Sequence, residues 1–194
     1  FDPRLDRWAP TWGLRLSAGF EYSDKILGTD FRFLILRGSG SFVWSLWRGT
    51  QIGAELLVGQ IEGTDIPTQR QFDVGGEGAI RGVRTSFFVD NAQFIVRTEL
   101  RHMLVEDLDI PILWFIWLRK IQLFGFLDTG DVQERIDKIL VPEEDWKWGA
   151  GGGIRFHLDG LGVSRFVLGF SVGVRIDDFD DAEPQFYFGG GQSF

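Results

Sequence analysis

The stretch FDVGGEGAIRG, residues 72–82, sets one arginine, Arg81, among four glycines: Gly75, Gly76, Gly78 and Gly82. A guanidinium is a planar fork of donors that can satisfy two carboxylates, a geometry that lysine cannot hold. Glycines permit positive φ and close backbone approach, as a loop threaded into an interior requires. Left in water, the same arginine would be a solvated loop charge contributing little. Candidate carboxylates stand further along. Glu99 shares a polar face with Gln93, Arg97 and Arg101, and Asp128 shares one with Gln122, Phe124 and Phe126. Both can point to the same side from adjacent strands. Nothing nucleophilic accompanies them, so the chemistry they suggest is structural ion pairing and not catalysis, and no enzyme activity is expected. The two histidines, His102 and His157, fall on opposite faces, which leaves too few ligands for a metal. No cofactor is expected.

The elements that must hold these residues are β-strands. The 194-residue chain holds 26 Gly, 19 Phe and 8 Trp, one Met and no Cys, a balance that favours an all-β chain. Its formal charge of −8 argues against nucleic acid as a partner. The opening FDPRLDRWAP shows neither an initiator Met nor a signal peptide, as in a processed product or part of something longer. The longest apolar run, IPILWFIWL at 110–118, is about half of a membrane helix. Its Trp114 and Trp117 suit either the membrane interface, a partner or a packed turn.

In WKWGAGGGIRFHLD, residues 146–159, one face reads Trp146, Trp148, Ala150, Gly152, Ile154, Phe156, Leu158. The other reads Lys147, Gly149, Gly151, Gly153, Arg155, His157, Asp159. This period of two marks a strand with one apolar face. Eight such strands are expected, at 12–23, 31–46, 51–61, 91–104, 120–131, 146–159, 165–177 and 185–194. The second is read as one long strand bent by a glycine bulge at Gly38-Ser39-Gly40, because its apolar parity shifts. Tight connections at 47–50 and 160–164 alternate with long ones at 62–90 and 132–145, while the link at 105–119 is long on the short-turn side.

A soluble sandwich rarely spends so much glycine on its polar side. Strands with an outward apolar band, aromatic ends and alternating connection lengths fit a transmembrane antiparallel β-barrel, which must close to pair its backbone in lipid. The expectation is a single barrel domain over 1–194, with a long loop at about 62–90. Outer-membrane lipid is its surrounding partner.

On these motifs the chain resembles the C-terminal half of the BamA/TamA outer-membrane assembly superfamily, the bacterial surface antigens. FDVGGEGAIRGV resembles the family's aromatic-x-x-Gly-Gly and [VI]-R-G-[FY] loop, with Val83 in place of the final aromatic. RTELRHML resembles the next strand. FGFLDTGDV resembles the F-x-D-x-G strand, with Phe126, Asp128 and Gly130 in the motif positions. GAGGGIRFHLD resembles the glycine-rich strand that follows, and FYFGGGQSF the terminal strand. The resemblance implies that the loop at about 62–90 folds inward, that Arg81 and Gly82 enter the lumen and that Arg81 pairs with Glu99 and Asp128. It implies that the last strand, with Phe186, Phe188 and terminal Phe194, is read as an assembly signal. Glycines 189–191 (Gly189, Gly190, Gly191) would soften the seam at that edge.

Family barrels have sixteen strands, within the even-numbered range of such proteins. Eight strands make a barrel about filled by its own side chains, with no room for an inserted loop. The expectation is therefore half a barrel, completed by more chain or by a second copy. The implied function is insertion or export of unfolded polypeptide clients across the bacterial outer membrane. Alternatives are a passive barrel that anchors or secretes one partner domain, as in patatin-type lipase relatives, and a soluble β-sandwich binding protein.

Overall fold

The computed structural model describes residues 12–190 apart from 25, 27, 65, 86, 87, 141–145, 163 and 179–181. Among the described residues the long strands are β1 (Trp12–Ser23), β2 (Phe33–Trp47), β3 (Thr50–Gly63), β6 (Ala92–Val105), β8 (Ile116–Gln133), β9 (Lys147–Gly160), β10 (Ser164–Arg175) and β11 (Gln185–Gly190). They lie side by side in that order, each antiparallel to its neighbours. Among the described residues β1 and β11 stand at the two ends of the sheet and do not pair with each other. Three short strands are also described, β4 (Phe72–Asp73) paired with β5 (Val89–Asp90), and β7 (Ile110–Leu113) paired with β8, together with a 3-10 turn at Thr68–Arg70 and a short helix, α1 (Ile136–Leu140).

Strand alternation gives the sheet two unlike faces. The outer face exposes Leu14, Leu16 and Phe20 on β1, Phe42 and Trp44 on β2, Leu100 on β6, Leu123 and Leu127 on β8, and Phe186 and Phe188 on β11. The inner face is covered by the connection between β3 and β6. That segment folds back over the sheet and buries Phe72, Val74, Ala79, Ile80 and Val83 against the inward residues Phe33, Ile35, Ile61, Ile95 and Val132. The apolar core of the chain is thus on the inside, between the sheet and its own longest connection. Burial of the Val, Ile and Phe side chains among these, each giving about 1.5–3 kcal/mol, offsets the ordering of the segment.

Two sequence expectations change. β2 is one strand, but no bulge occurs at Gly38-Ser39-Gly40: its pairing with β1 and β3 runs unbroken through those residues, and the irregularity lies between Ser45 and Trp47. The apparent parity shift has another cause. Phe33 and Ile35 are inward but apolar, because they pack under the inserted segment. The 105–119 link is not a long connection either. β8 pairs with β6 from Ile121 onward and with β7 over 116–118, while β9 occupies its other edge. β7 therefore extends β6 along the same side of β8 after a short excursion at 106–109, and the true turn is Trp114–Phe115. The short-turn rim keeps its rule, and the hairpin simply reaches further. Gly191 and Phe194 lie outside the described residues.

Ile80 has 0% exposure and anchors the inserted segment. Ile80→Ala should cost about 2–5 kcal/mol of local stability. Limited proteolysis should then cut within 64–91 while the β-sheet circular dichroism is retained.

Candidate functional site

Cross-strand register aligns the inward residues of four strands. On β6 they are Arg97, Glu99 and Arg101, which stand opposite Asp128, Phe126 and Phe124 of β8. These in turn stand opposite Gly149, Gly151 and Gly153 of β9. Arg175, Gly173 and Ser171 of β10 complete the rows. Two of the rows read charge, ring, glycine, and the third reads Arg97, Asp128, Gly149. An inward side chain at Gly151 would place its Cβ 2.5 Å from Phe126 Cζ, and one at Gly153 would lie 2.8 Å from Phe124 Cζ. The glycines leave space for the two rings to lie over β9.

Onto this platform comes Arg81. Its Nε donates to Asp128 Oδ2 (2.7 Å), its Nη2 to Asp128 Oδ1 (2.8 Å) and its Nη1 to Glu99 Oε2 (2.8 Å). The backbone N–H of Arg81 donates to Asp128 Oδ2 as well, at 3.1 Å. The guanidinium carbon sits 3.8 Å from the centroid of the Phe126 ring, a cation–π contact. Arg81, Glu99 and Asp128 are all buried, with Asp128 at 0% exposure. Burial by itself disfavours the charged guanidinium. The hydrogen bonds and charges of Asp128 and then Glu99 reverse this, and hold the arginine's pKa above its ordinary value.

The backbone route depends on two glycines. Gly82 has φ +98°, and a Cβ there would lie 2.5 Å from the Val174 carbonyl oxygen. A Cβ on Gly149 would fall 1.9 Å from the carbonyl oxygen of Arg81. The segment therefore lies directly on the backbone of β9 and β10. Gly75 forms an isolated bridge with Ile80, and the Gly76 N–H donates to Val83 O at 3.0 Å, so both close the tight fold that presents Arg81. Gly130 lies on β8 beneath Ile95, where a Cβ would stand 2.2 Å from Phe94 O.

The cluster is larger than the three residues singled out in the sequence. Arg155 donates from Nη1 to Glu99 Oε1 (2.6 Å) and from Nη2 to Oε2 (3.0 Å), while Arg101 Nε donates to Oε1 (2.6 Å). Glu99 thus receives three arginines. Arg155 stacks 3.8 Å from the Phe124 centroid, repeating the Arg81–Phe126 pair one step along. Arg97 reaches Glu55 Oε2 on β3 and the Glu77 carbonyl in the segment, both at 3.0 Å. Shared parity placed Arg97, Arg101 and Arg155 inward, but nothing in spacing told which carboxylate each would meet. Tyr187 of β11 was also missed. Its hydroxyl accepts the Gly82 N–H at 2.8 Å, which ties the segment to the last strand. Arg84 pairs with Glu183 close by. Phe186 and Phe188 point the other way, exposed on the outer face, while Gly189 lies against the Glu77 carboxylate and Gly190 beside them on the edge.

His157 faces inward and is buried, whereas His102 is exposed on the outer face with its Nδ1 2.7 Å from Thr50 Oγ1. Among the described residues no group of His, Cys, Asp and Glu could hold a metal ion. The arrangement can fix a loop and a strand register; it presents no nucleophile beside a base.

The family profile of the Omp85 superfamily domain matches residues 1–194, and the chain belongs to that superfamily. Its members are β-barrel proteins of the bacterial outer membrane, a family of polypeptide insertion and transport whose members are generally not enzymes. The outer face of the sheet is accordingly the lipid-facing wall. No curated protein matches the chain.

Removing one member of a buried ion pair costs about 3–5 kcal/mol, because its partner is left charged and unsatisfied. Arg81→Ala and Asp128→Ala should each lower the fraction of heat-resistant folded band on a gel, and the double variant should be no worse than either. Additive losses would show that the two act independently. Gly149→Ala should have the same effect as Arg81→Ala without touching a charge, since its methyl group would occupy the space of the Arg81 carbonyl.

Proposed function

We propose, from membership of the Omp85 superfamily, that this chain supplies the strands of an outer-membrane barrel that inserts or exports unfolded polypeptides. The observation that carries this reading is the combination of a pinned interior segment with open sheet ends. Arg81 and Gly82 are fastened across β6, β8, β10 and β11, whereas β1 and β11 each have a strand neighbour on one side only among the described residues. An unpaired strand edge is a row of backbone donors and acceptors able to template another strand. In this proposal a client strand pairs with that edge, and no cofactor or nucleotide is needed. Gly189 and Gly190 supply little side-chain packing there, which makes the seam easier to part.

The charge cluster acts as the fixed side of the device. It holds β6, β8 and β9 in register through Glu99 and Asp128, so that strain at the seam does not spread through the wall. Further strands, from more of the polypeptide or from a second copy, complete the barrel. An eight-strand barrel has an interior about filled by side chains, and here that volume is already taken by the inserted segment. The mass of the detergent-solubilised particle, compared with the full open reading frame, separates these two sources.

Depletion of the protein should leave outer-membrane or secreted proteins unassembled, and complementation with Arg81→Ala should fail to restore them. Normal assembly after depletion would reject an insertion or export role.

A further inference from the structure

The short-turn rim carries a feature that the ion-pair cluster and the seam do not use. The β7–β8 hairpin ends in Trp114–Phe115, and Trp114 is 84% exposed. Ile110, Ile112 and Leu113, on the strand leading to that turn, are exposed as well. The neighbouring β9–β10 connection is locked beside it: the Leu161 N–H donates to the Phe115 carbonyl at 2.9 Å. Leu161 is 66% exposed. Leu161 and Gly162 both have positive φ, 54° and 70°. That conformation favours Asn-Gly in a hairpin turn, and a leucine there is strained. Turn apices are ordinarily built of Gly, Asn, Asp, Ser or Pro. Two adjacent apices here present Trp and Leu instead.

We propose that these two apices form an apolar foot that sits in the headgroup–acyl boundary of the phospholipid leaflet on the short-turn side of the membrane. In outer-membrane barrels that side is periplasmic. The occupant follows from continuity. β7 prolongs β6 along β8, so Ile110 and Leu113 extend the wall that carries Leu100, Leu104, Leu123 and Leu127. An indole prefers the boundary, with its ring among acyl chains and its N–H toward water. Arg119 bridges Asp109 (2.5 Å) and Asp159 (3.5 Å), tying the excursion at 106–109 to β9 and holding the foot against the wall. The excursion carries Glu106, Asp107 and Asp109, so anionic headgroups are not the attraction. Insertion is driven by apolar burial and is insensitive to salt. The inference rests only on residence in the outer membrane and is independent of the polypeptide-handling role.

Residues 1–194 contain no cysteine, so once any cysteine elsewhere in the polypeptide is replaced by serine, a single one introduced here can be labelled uniquely. The full-length protein bearing Trp114→Cys, labelled with an environment-sensitive nitrobenzoxadiazole dye, is reconstituted in phosphatidylethanolamine–phosphatidylcholine vesicles. Thr68→Cys, in the exposed turn at 68–70 on the opposite rim, is the aqueous reference. The label at 114 should emit to the blue of the reference. Lipid carrying a doxyl group near its headgroup should quench it several-fold more strongly, aqueous iodide several-fold less, and high salt should change neither. Leu161→Cys should behave in the same way, and serves if Trp114→Cys folds poorly. Iodide quenching equal to the reference at both positions would overturn the proposal. So would shielding from iodide without quenching by doxyl lipid, which would mean a protein partner covers the foot.

Discussion

A buried guanidinium cannot be left unpaired, and the architecture of this chain is organised around that constraint. Arg81 is 2% exposed, so its charge must be met by opposite charge and its donors by hydrogen-bond acceptors. Asp128 takes two of the side-chain donors and Glu99 a third. Glu99 in turn is surrounded by Arg101 and Arg155. These are demands on register: they are met only if β6, β8 and β9 are aligned as they are, since slipping one strand by a single residue would turn its inward set outward. The ion pairs therefore specify the alignment of strands whose outer faces, apolar and repetitive, would accept others.

Aromatic rings and glycines make that charge cluster possible. Phe124 and Phe126 would look misplaced on a polar face. They serve as flat supports on which Arg155 and Arg81 stack, while the glycines of β9 opposite them give the rings room. The abundance of glycine, Phe and Arg on one side of the sheet is a single layered solution, in which backbone, ring and guanidinium lie one above another. At the other end of the same inner face the segment packs by apolar contact, through Phe72, Val74, Ile80 and Val83.

Much of this was legible because period-two alternation survives in a single sequence. The eight long strands, the inward parity of Glu99 and Asp128 and the alternation of connection lengths all follow from it. What alternation cannot encode is which inward residues meet. Arg155 lies 56 residues from Glu99, and nothing local marks them as partners. Tyr187 was hidden because a tyrosine between phenylalanines reads as one more aromatic residue, although its parity is opposite to theirs. The bulge assigned to Gly38-Ser39-Gly40 failed because apolar residues were equated with the outer face. Phe33 and Ile35 break that equation where the inserted segment gives the inner face an apolar cover. The hairpin of β7 was obscured by the excursion at 106–109, which interrupts the alternation in the middle of what is geometrically one ribbon.

The position of Tyr187 has a temporal consequence. Gly82 precedes its hydroxyl acceptor by 105 residues, and Arg81 precedes Asp128 by 47. The segment is synthesised and delivered before the strands that clasp it, so its seating must await β8 and is complete only once β11 has arrived. Contacts of such long sequence separation form late and slowly. Closure of the Gly82–Tyr187 link is therefore a terminal event in maturation of the wall, and an intrinsic mark that the last strand has taken its place.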